Sequence, residues 1–300
     1  MLALRKLMPM NNLLLYAITV AIWGSTWIAI TFQLGTVAPI VSIAHRSMLA
    51  ALLIFLYLVL RRRLSPLSRR DHVMVCLQGL CLFSGNYIFI YYATAELASG
   101  LVAVVFSTMV ILNMVNGAIF LRLPASSMVA LGACIGLLGM VAVFLPQLES
   151  FSLTDAGFRA LLLCFVGTCL ASFGNIFAAR NSRDGLPVLV CNAWGMLYGA
   201  LALYVLALLT GTAITVDLTP AYLGSLFYLA VFGSVVGFWA YVTLIGNIGP
   251  DRAAYSSLLF PVVALLISTL FEGYQWTLLG LAGFALVLAG NWLVMRRGTG

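Results

Sequence analysis

Residues 40–60 read Ile40-Val-Ser-Ile-Ala-His-Arg-Ser-Met-Leu-Ala-Ala-Leu-Leu-Ile-Phe-Leu-Tyr-Leu-Val-Leu60. Crossing a bilayer takes about 20 mainly apolar residues, and this run is long enough. Yet it holds two basic side chains, His45 and Arg46. Either the run is not a transmembrane helix, or those side chains do something that offsets the cost of placing them there. The rest of the chain decides between the two.

Of 300 residues, 63% are hydrophobic and 8% charged. Soluble domains carry about 25% charged residues, so this is the composition of a polytopic membrane protein. Ten membrane-length runs are legible, at 11–32, 38–60, 72–93, 98–121, 127–146, 156–179, 187–210, 220–246, 252–271 and 275–295. Continuous apolar runs of this length require helices, because barrel strands alternate. The expected fold is therefore an all-α integral membrane protein. Arg5-Lys6 before the first run has the look of a signal peptide, but that run is too long and lacks a small-residue cleavage site, so it reads as the first span.

The net charge is +7, and its placement sets the orientation. With the N-terminus inside, the inner span ends hold Arg5, Lys6, the Arg61-Arg62-Arg63 cluster, Arg69, Arg70, Arg122, Arg180, Arg183, Arg252, Arg296 and Arg297. Of the 15 basic residues only Arg46 and Arg159 fall elsewhere, while the outer connections carry Glu96, Glu149, Asp155, Asp217 and Glu272. This positive-inside pattern predicts both termini on the cytoplasmic side of the inner (plasma) membrane. Arginines at span ends do not make a nucleic-acid face.

Ten spans divide into five plus five, at residues 1–150 and 151–300, and an odd number per half makes any repeat an inverted one. Ala98-Ser-Gly-Leu-Val-Ala-Val-Val-Phe106 can be laid on Arg252-Ala-Ala-Tyr-Ser-Ser-Leu-Leu-Phe260, and Gly132 and Gly139 on Gly283 and Gly290. Two inverted five-helix repeats around a central cavity are typical of secondary transporters. Gly132 and Gly136, Gly195 and Gly199, and Gly233 and Gly237 are each four apart, a spacing that lets helices approach closely.

Trp23-Gly-Ser-Thr-Trp-Ile-Ala-Ile30, then Pro39, then His45-Arg46-Ser-Met-Leu-Ala50 and a cluster of arginines, together resemble the EamA-type members of the drug/metabolite transporter superfamily. Phe260-Pro261 followed by Phe271-Glu272 resembles the same family's second-repeat motifs. The resemblance covers essentially the whole chain. It implies an inverted five-plus-five repeat and export of small metabolites, and bacterial exporters of amino acids, aromatic ones included, are among the members it resembles. Where the family has a proline in the fourth span this chain has Ser107, and where an acidic residue follows it has Leu121. The two halves are thus expected to move differently, with Pro261 and Ser107 as hinge or gating candidates; Pro261 is either a hinge that shapes a cavity or a tolerated kink.

Arg46 lies seven residues inside Pro39, roughly 10 Å from the outer end of its helix. It either grips a substrate carboxylate from a cavity wall, pairs with Glu96 or Glu272, or snorkels outward. His45, about 100° away around the helix, reads as a hydrogen-bonded structural residue. Further cavity candidates are Trp23 and Trp27 on one face of the first span, Asn86, Tyr87 and Tyr91 in the third, and Asn175 in the sixth. Trp239, with Tyr241 beside it, and Tyr255 and Ser256 complete the set. The alternative for each is an interfacial belt or an interhelical bond.

What is missing narrows the class. No acidic residue falls in mid-span, so a proton–cation exchanger of large cationic drugs fits poorly, and one deep arginine is little for a phosphorylated solute. Neither Gly-x-Ser-x-Gly nor His-Glu-x-x-His occurs, so no enzyme is expected, and six intraspan cysteines with two histidines give no metal site or cofactor. The leading reading is a secondary transporter exporting amino acids or similar metabolites by alternating access, as a monomer or dimer in the lipid bilayer. A channel-like or lipid-handling protein, or an exporter of other metabolites or drugs, is the alternative.

Overall fold

A computed structural model describes residues 12–33, 35–94, 96, 102, 105–124, 127–143, 145, 155–260, 262–263, 266 and 277–295. Pro261, Glu272 and the Trp27 side chain, all singled out above, lie outside the described residues. The described chain is helical with no strand, and each of the ten expected spans has a helical segment. In chain order these are α1 (Asn12–Thr31), α2 (Pro39–Leu60), α3 (Arg69–Gly79, Leu80–Gly85 and Asn86–Thr94), α4 (Met109–Leu121) and α5 (Ser127–Val143). The second half holds α6 (Asp155–Arg183), α7 (Val188–Leu209), α8 (Pro220–Tyr228, Leu229–Val236 and Gly237–Ile248), α9 (Pro250–Ala254 continuing into Tyr255–Leu258) and α10 (Leu278–Met295).

Local signals fix the helix ends. The Ser68 hydroxyl accepts from the Asp71 N–H at the start of α3, and Thr219 accepts from Tyr222 at the start of α8. Pro39, Pro220 and Pro250 occupy first-turn positions where a missing N–H costs nothing. Gly249, at φ 92°, turns α8 into α9 with a backbone that other residues rarely adopt.

Helix pairing is almost entirely between the halves. α1 packs on α8, α2 on α7 and α8, α3 on α6 and α7, α4 on α6 and α9, and α5 on α10. Exchanging each helix for the one five places away turns the 1–8 pair into 6–3 and the 2–8 pair into 7–3. The 2–7, 4–9 and 5–10 pairs map onto themselves. The chain is thus a two-repeat structure whose halves interlock, so neither half encloses a core of its own.

Small residues make these crossings possible. A Cβ built on Gly139 would stand 2.6 Å from the Gly283 carbonyl oxygen, and one on Gly132 2.8 Å from that of Gly290. Gly195 meets the Phe83 ring, Gly199 meets Gly79 and Ser84, and Gly233 and Gly237 meet Thr26 and Trp23. All three four-spaced glycine pairs therefore sit at inter-half contacts. At the ends predicted to be cytoplasmic, Arg180 bridges Asp71 at 3.4 Å and Asp184 at 2.8 Å. Behind it, buried Asn181 and Gln78 hydrogen-bond at 2.8 Å, and Asn113 donates to the Pro250 carbonyl at 2.8 Å. All six cysteines are free thiols.

The crossings make a direct prediction. Gly139→Leu should lower the thermal midpoint of detergent-solubilised protein by several degrees or abolish a monodisperse peak, since overpacking a tight core costs about 1–3 kcal/mol. Gly224→Ala, where nothing lies within 4 Å of the added Cβ, should leave both unchanged.

Candidate functional site

Two helices carry a wide, π-helical stretch at mid-length, Leu80–Gly85 in α3 and Leu229–Val236 in α8, the third helix of each half. A π turn shifts the carbonyl pattern by one residue, and in each helix a serine takes up a carbonyl five residues back. Ser84 Oγ donates to the Gly79 carbonyl at 3.3 Å, and Ser234 Oγ to the Leu229 carbonyl at 3.0 Å. Both stretches are then bonded by residues of other helices. Ser47 Oγ donates to the Phe83 carbonyl at 3.3 Å, and Trp23 Nε1 to the Gly233 carbonyl at 2.9 Å.

Arg46 closes on the α8 stretch from α2. Its Nε donates to Ser234 Oγ at 2.8 Å, one Nη to Tyr87 Oη at 3.2 Å, and its guanidinium carbon lies 5.0 Å from the Tyr87 ring centre. The residue is 5% exposed, so it does not snorkel to the interface. Among the described residues the salt bridges belong to Arg180, and exposed Glu96 does not reach Arg46. Two of five guanidinium N–H donors are used; the others have no partner among the described residues.

These groups wall a cavity of about 170 Å³ between the halves. Of the residues singled out in the sequence, Trp23, Arg46, Asn86, Tyr87, Tyr91 and Asn175 line it. The Trp23 ring lines it, 4.8 Å from Phe238, 4.9 Å from Tyr241 and 5.3 Å from Phe260.

Trp239, Tyr255 and Ser256 are placed elsewhere. Two positions on a helix differ by about 200°, so Trp239 and Tyr241 cannot share a face; Tyr241 lines the cavity and Trp239 packs into the inter-half core. In the tight turn Tyr255–Leu258, Tyr255 sends its hydroxyl to the Gly132 carbonyl at 2.8 Å, Ser256 bonds Ala253 at 2.8 Å, and Ser257 turns to the cavity. His45, expected to be hydrogen-bonded, instead has an Nδ1 without partner and packs edge-on against Tyr204 at 5.7 Å. Ser107 is fully buried beside the cavity residues Phe106 and Met109. Sequence reasoning passed over Thr26, Met109 and Ser257, which also line the cavity. Thr26 and Ser257 carried a usable cue, as hydroxyls inside apolar spans.

Apolar helices enclosing a cavity of small-solute size, with an arginine in its wall that has no acidic partner among the described residues, fit a multi-pass membrane transporter. The sequence profile of the EamA-like transporter family matches residues 11–145 and again 158–296, and the chain belongs to that family, within the drug/metabolite transporter superfamily. It is 30% identical over 294 residues (95% of this chain, 91% of the relative) to the "uncharacterized inner membrane transporter YedA" of Escherichia coli. An "uncharacterized transporter" of Archaeoglobus fulgidus is 26% identical, with 96% and 100% of the two chains covered. A "probable amino-acid metabolite efflux pump" of Salmonella typhimurium is 25% identical, with 92% of each covered. A crystal structure superposes with a TM-score of 0.79 at 16% identity, over 96% of this chain and 99% of that one, a likeness of fold.

Burying a charge without an ion partner costs folding energy, and Arg46 has no acidic partner among the described residues; an apolar side chain of similar volume carries no such cost. Arg46→Met should therefore hold or raise the thermal midpoint. A fall of several degrees would assign Arg46 to the scaffold instead.

Proposed function

We propose that this protein is a secondary transporter that exports amino acids or similar small metabolites across the inner membrane by alternating access, with Arg46 gripping the substrate carboxylate. One observation carries the reading. Arg46 is buried in a cavity wall with free N–H donors and no carboxylate partner among the described residues. A guanidinium so placed is a bidentate carboxylate site held ready, since Tyr87 and Ser234 fix its plane. The aromatic and aliphatic walls suit the apolar part of the same solute. A relative whose name specifies amino-acid metabolite efflux supports the substrate class. The arginine distribution supports an N-terminus inside, and five helices per half support an inverted pair that can rock about a fixed site.

Uptake of a labelled amino-acid panel into proteoliposomes, with and without an imposed pH gradient, tests the proposal. Saturable uptake of neutral or aromatic amino acids is expected. Arg46→Lys should retain part of the transport, and Arg46→Ala should lose it by at least about ten-fold, the worth of a charged hydrogen bond, while remaining folded. Normal transport by both variants would overturn the carboxylate grip. No uptake of any amino acid by folded protein would overturn the substrate class.

A further inference from the structure

Three side-chain oxygens in the cavity wall lack a hydrogen bond of good geometry among the described residues: Asn175 Oδ1 from α6, Tyr241 Oη from α8, which lies within interaction distance of the Asn175 side chain, and Ser257 Oγ from α9. Each belongs to a residue no more than 2% exposed. A polar group left without a well-formed hydrogen bond in apolar surroundings costs up to about 1–3 kcal/mol, and three such groups in the wall of one cavity are a cost that packing does not require. The Asn175 amide is held in place because its Nδ2 rests on Met109 Sδ at 3.4 Å and the Tyr241 hydroxyl lies beside it. Tyr241 is fixed by the Trp23 ring at 4.9 Å.

This group stands apart from Arg46. Arg46 is anchored at Ser234, and Tyr241 lies seven residues further along α8, roughly 10 Å along the axis. Trp23 fills the interval, with its Nε1 bonded at Gly233 and its ring against Tyr241. The carboxylate and ammonium of an α-amino acid are separated by a single carbon, so one such pair cannot reach both ends of the cavity. What reaches both is an elongated solute with a carboxylate at one end and an O–H or N–H donor at the other, joined by a flat apolar body that lies along Trp23.

We infer that Asn175, Tyr241 and Ser257 form a second polar subsite that accepts a hydrogen bond from the far end of the substrate, so that the transporter selects carboxylates with a distal donor. The inference rests on the carboxylate role of Arg46. A phenol or indole N–H meets the requirement; a bare phenyl ring leaves the oxygens unpaired, which is how a buried polar site rejects an analogue lacking the group.

The test compares two substrate pairs in proteoliposomes: tyrosine against phenylalanine, and tryptophan against 1-methyltryptophan, whose indole N–H is capped. Wild-type protein should show a half-saturation concentration about ten-fold lower for the donor-bearing member, the effect of one buried hydrogen bond. In the double variant Tyr241→Phe/Ser257→Ala, that ratio should shrink to about two-fold or less, whatever the absolute rates. Ser257→Ala alone, which removes a single hydroxyl, serves if the double variant does not fold. Wild-type ratios near one for both pairs, or undiminished ratios in the variants, would overturn the second subsite and leave the Arg46 reading standing. Transport of all four compounds unchanged by Arg46→Ala would remove the carboxylate anchor, and the inference with it.

Discussion

Where α5 crosses α10, the Cβ that Gly139 lacks would sit 2.6 Å from the Gly283 carbonyl oxygen, and the reverse holds equally. The same constraint recurs at Gly79 and Gly195 between α3 and α7, and at Gly237 and Trp23 between α8 and α1. Inside a bilayer there is little hydrophobic gain in pressing helices together, because lipid is as apolar as a leucine side chain. Close backbone approach supplies the dispersion contacts instead. Such approaches here join one half of the chain to the other, so they hold the halves at a fixed separation. The cavity is what remains between helices that cannot come closer without larger side chains colliding.

The interior of that space acquires polarity from backbone irregularity. A regular helix has no spare carbonyl in mid-span, and exposing one to hydrocarbon is costly. The π stretches in α3 and α8 displace carbonyls, and Ser84, Ser234, Ser47 and Trp23 satisfy them. Ser234 then does two things at once. It donates to Leu229 and accepts from Arg46, so the distortion of α8 and the position of this deep arginine are one arrangement. Ser84, its counterpart in α3, has no arginine. α2 contributes Arg46 to the cavity, while its counterpart α7 contributes no lining residue. The charge is where the approximate symmetry of the two halves ends.

Much of this was legible in the sequence because the membrane imposes length and apolarity on each span. Ten runs and a deep Arg46 need only counting. Which face of each helix meets the cavity is harder, since helices apolar all round carry no amphipathic signal. Trp23, Asn86, Tyr87, Tyr91 and Asn175 were found because bulky aromatics and amides are conspicuous anywhere in a span. Trp239 is as conspicuous as Tyr241, and Tyr255 and Ser256 as Ser257, but one or two steps along a helix or a tight turn swing a side chain by 100° or more. The π stretches left no trace in hydropathy. Glycine and serine at Gly79, Ser84, Gly233 and Ser234 were the only hints.

The register of the two repeats shows how backbone bonding settles what residue matching could not. Matching Phe106 to Phe260 sets Ser107 against Pro261. Yet in α4 the Thr108 N–H bonds the Val105 carbonyl and Leu112 bonds Thr108, while on the α9 side Leu259 bonds Ser256 and Val263 bonds Leu259. The same tight turn followed by the same helical bond recurs 151 positions later, the spacing that also relates Gly132 to Gly283 and Gly139 to Gly290. In this register Phe106 and Met109 correspond to Ser257 and Phe260, and all four line the cavity. Ser107 then corresponds to Leu258, and the tight turn beside it needs no proline. The Thr108 hydroxyl, donating to Val105 at 2.6 Å, supports the turn instead. Both halves thus carry the same tight turn at the cavity wall, and the first half forms it without a proline at Ser107.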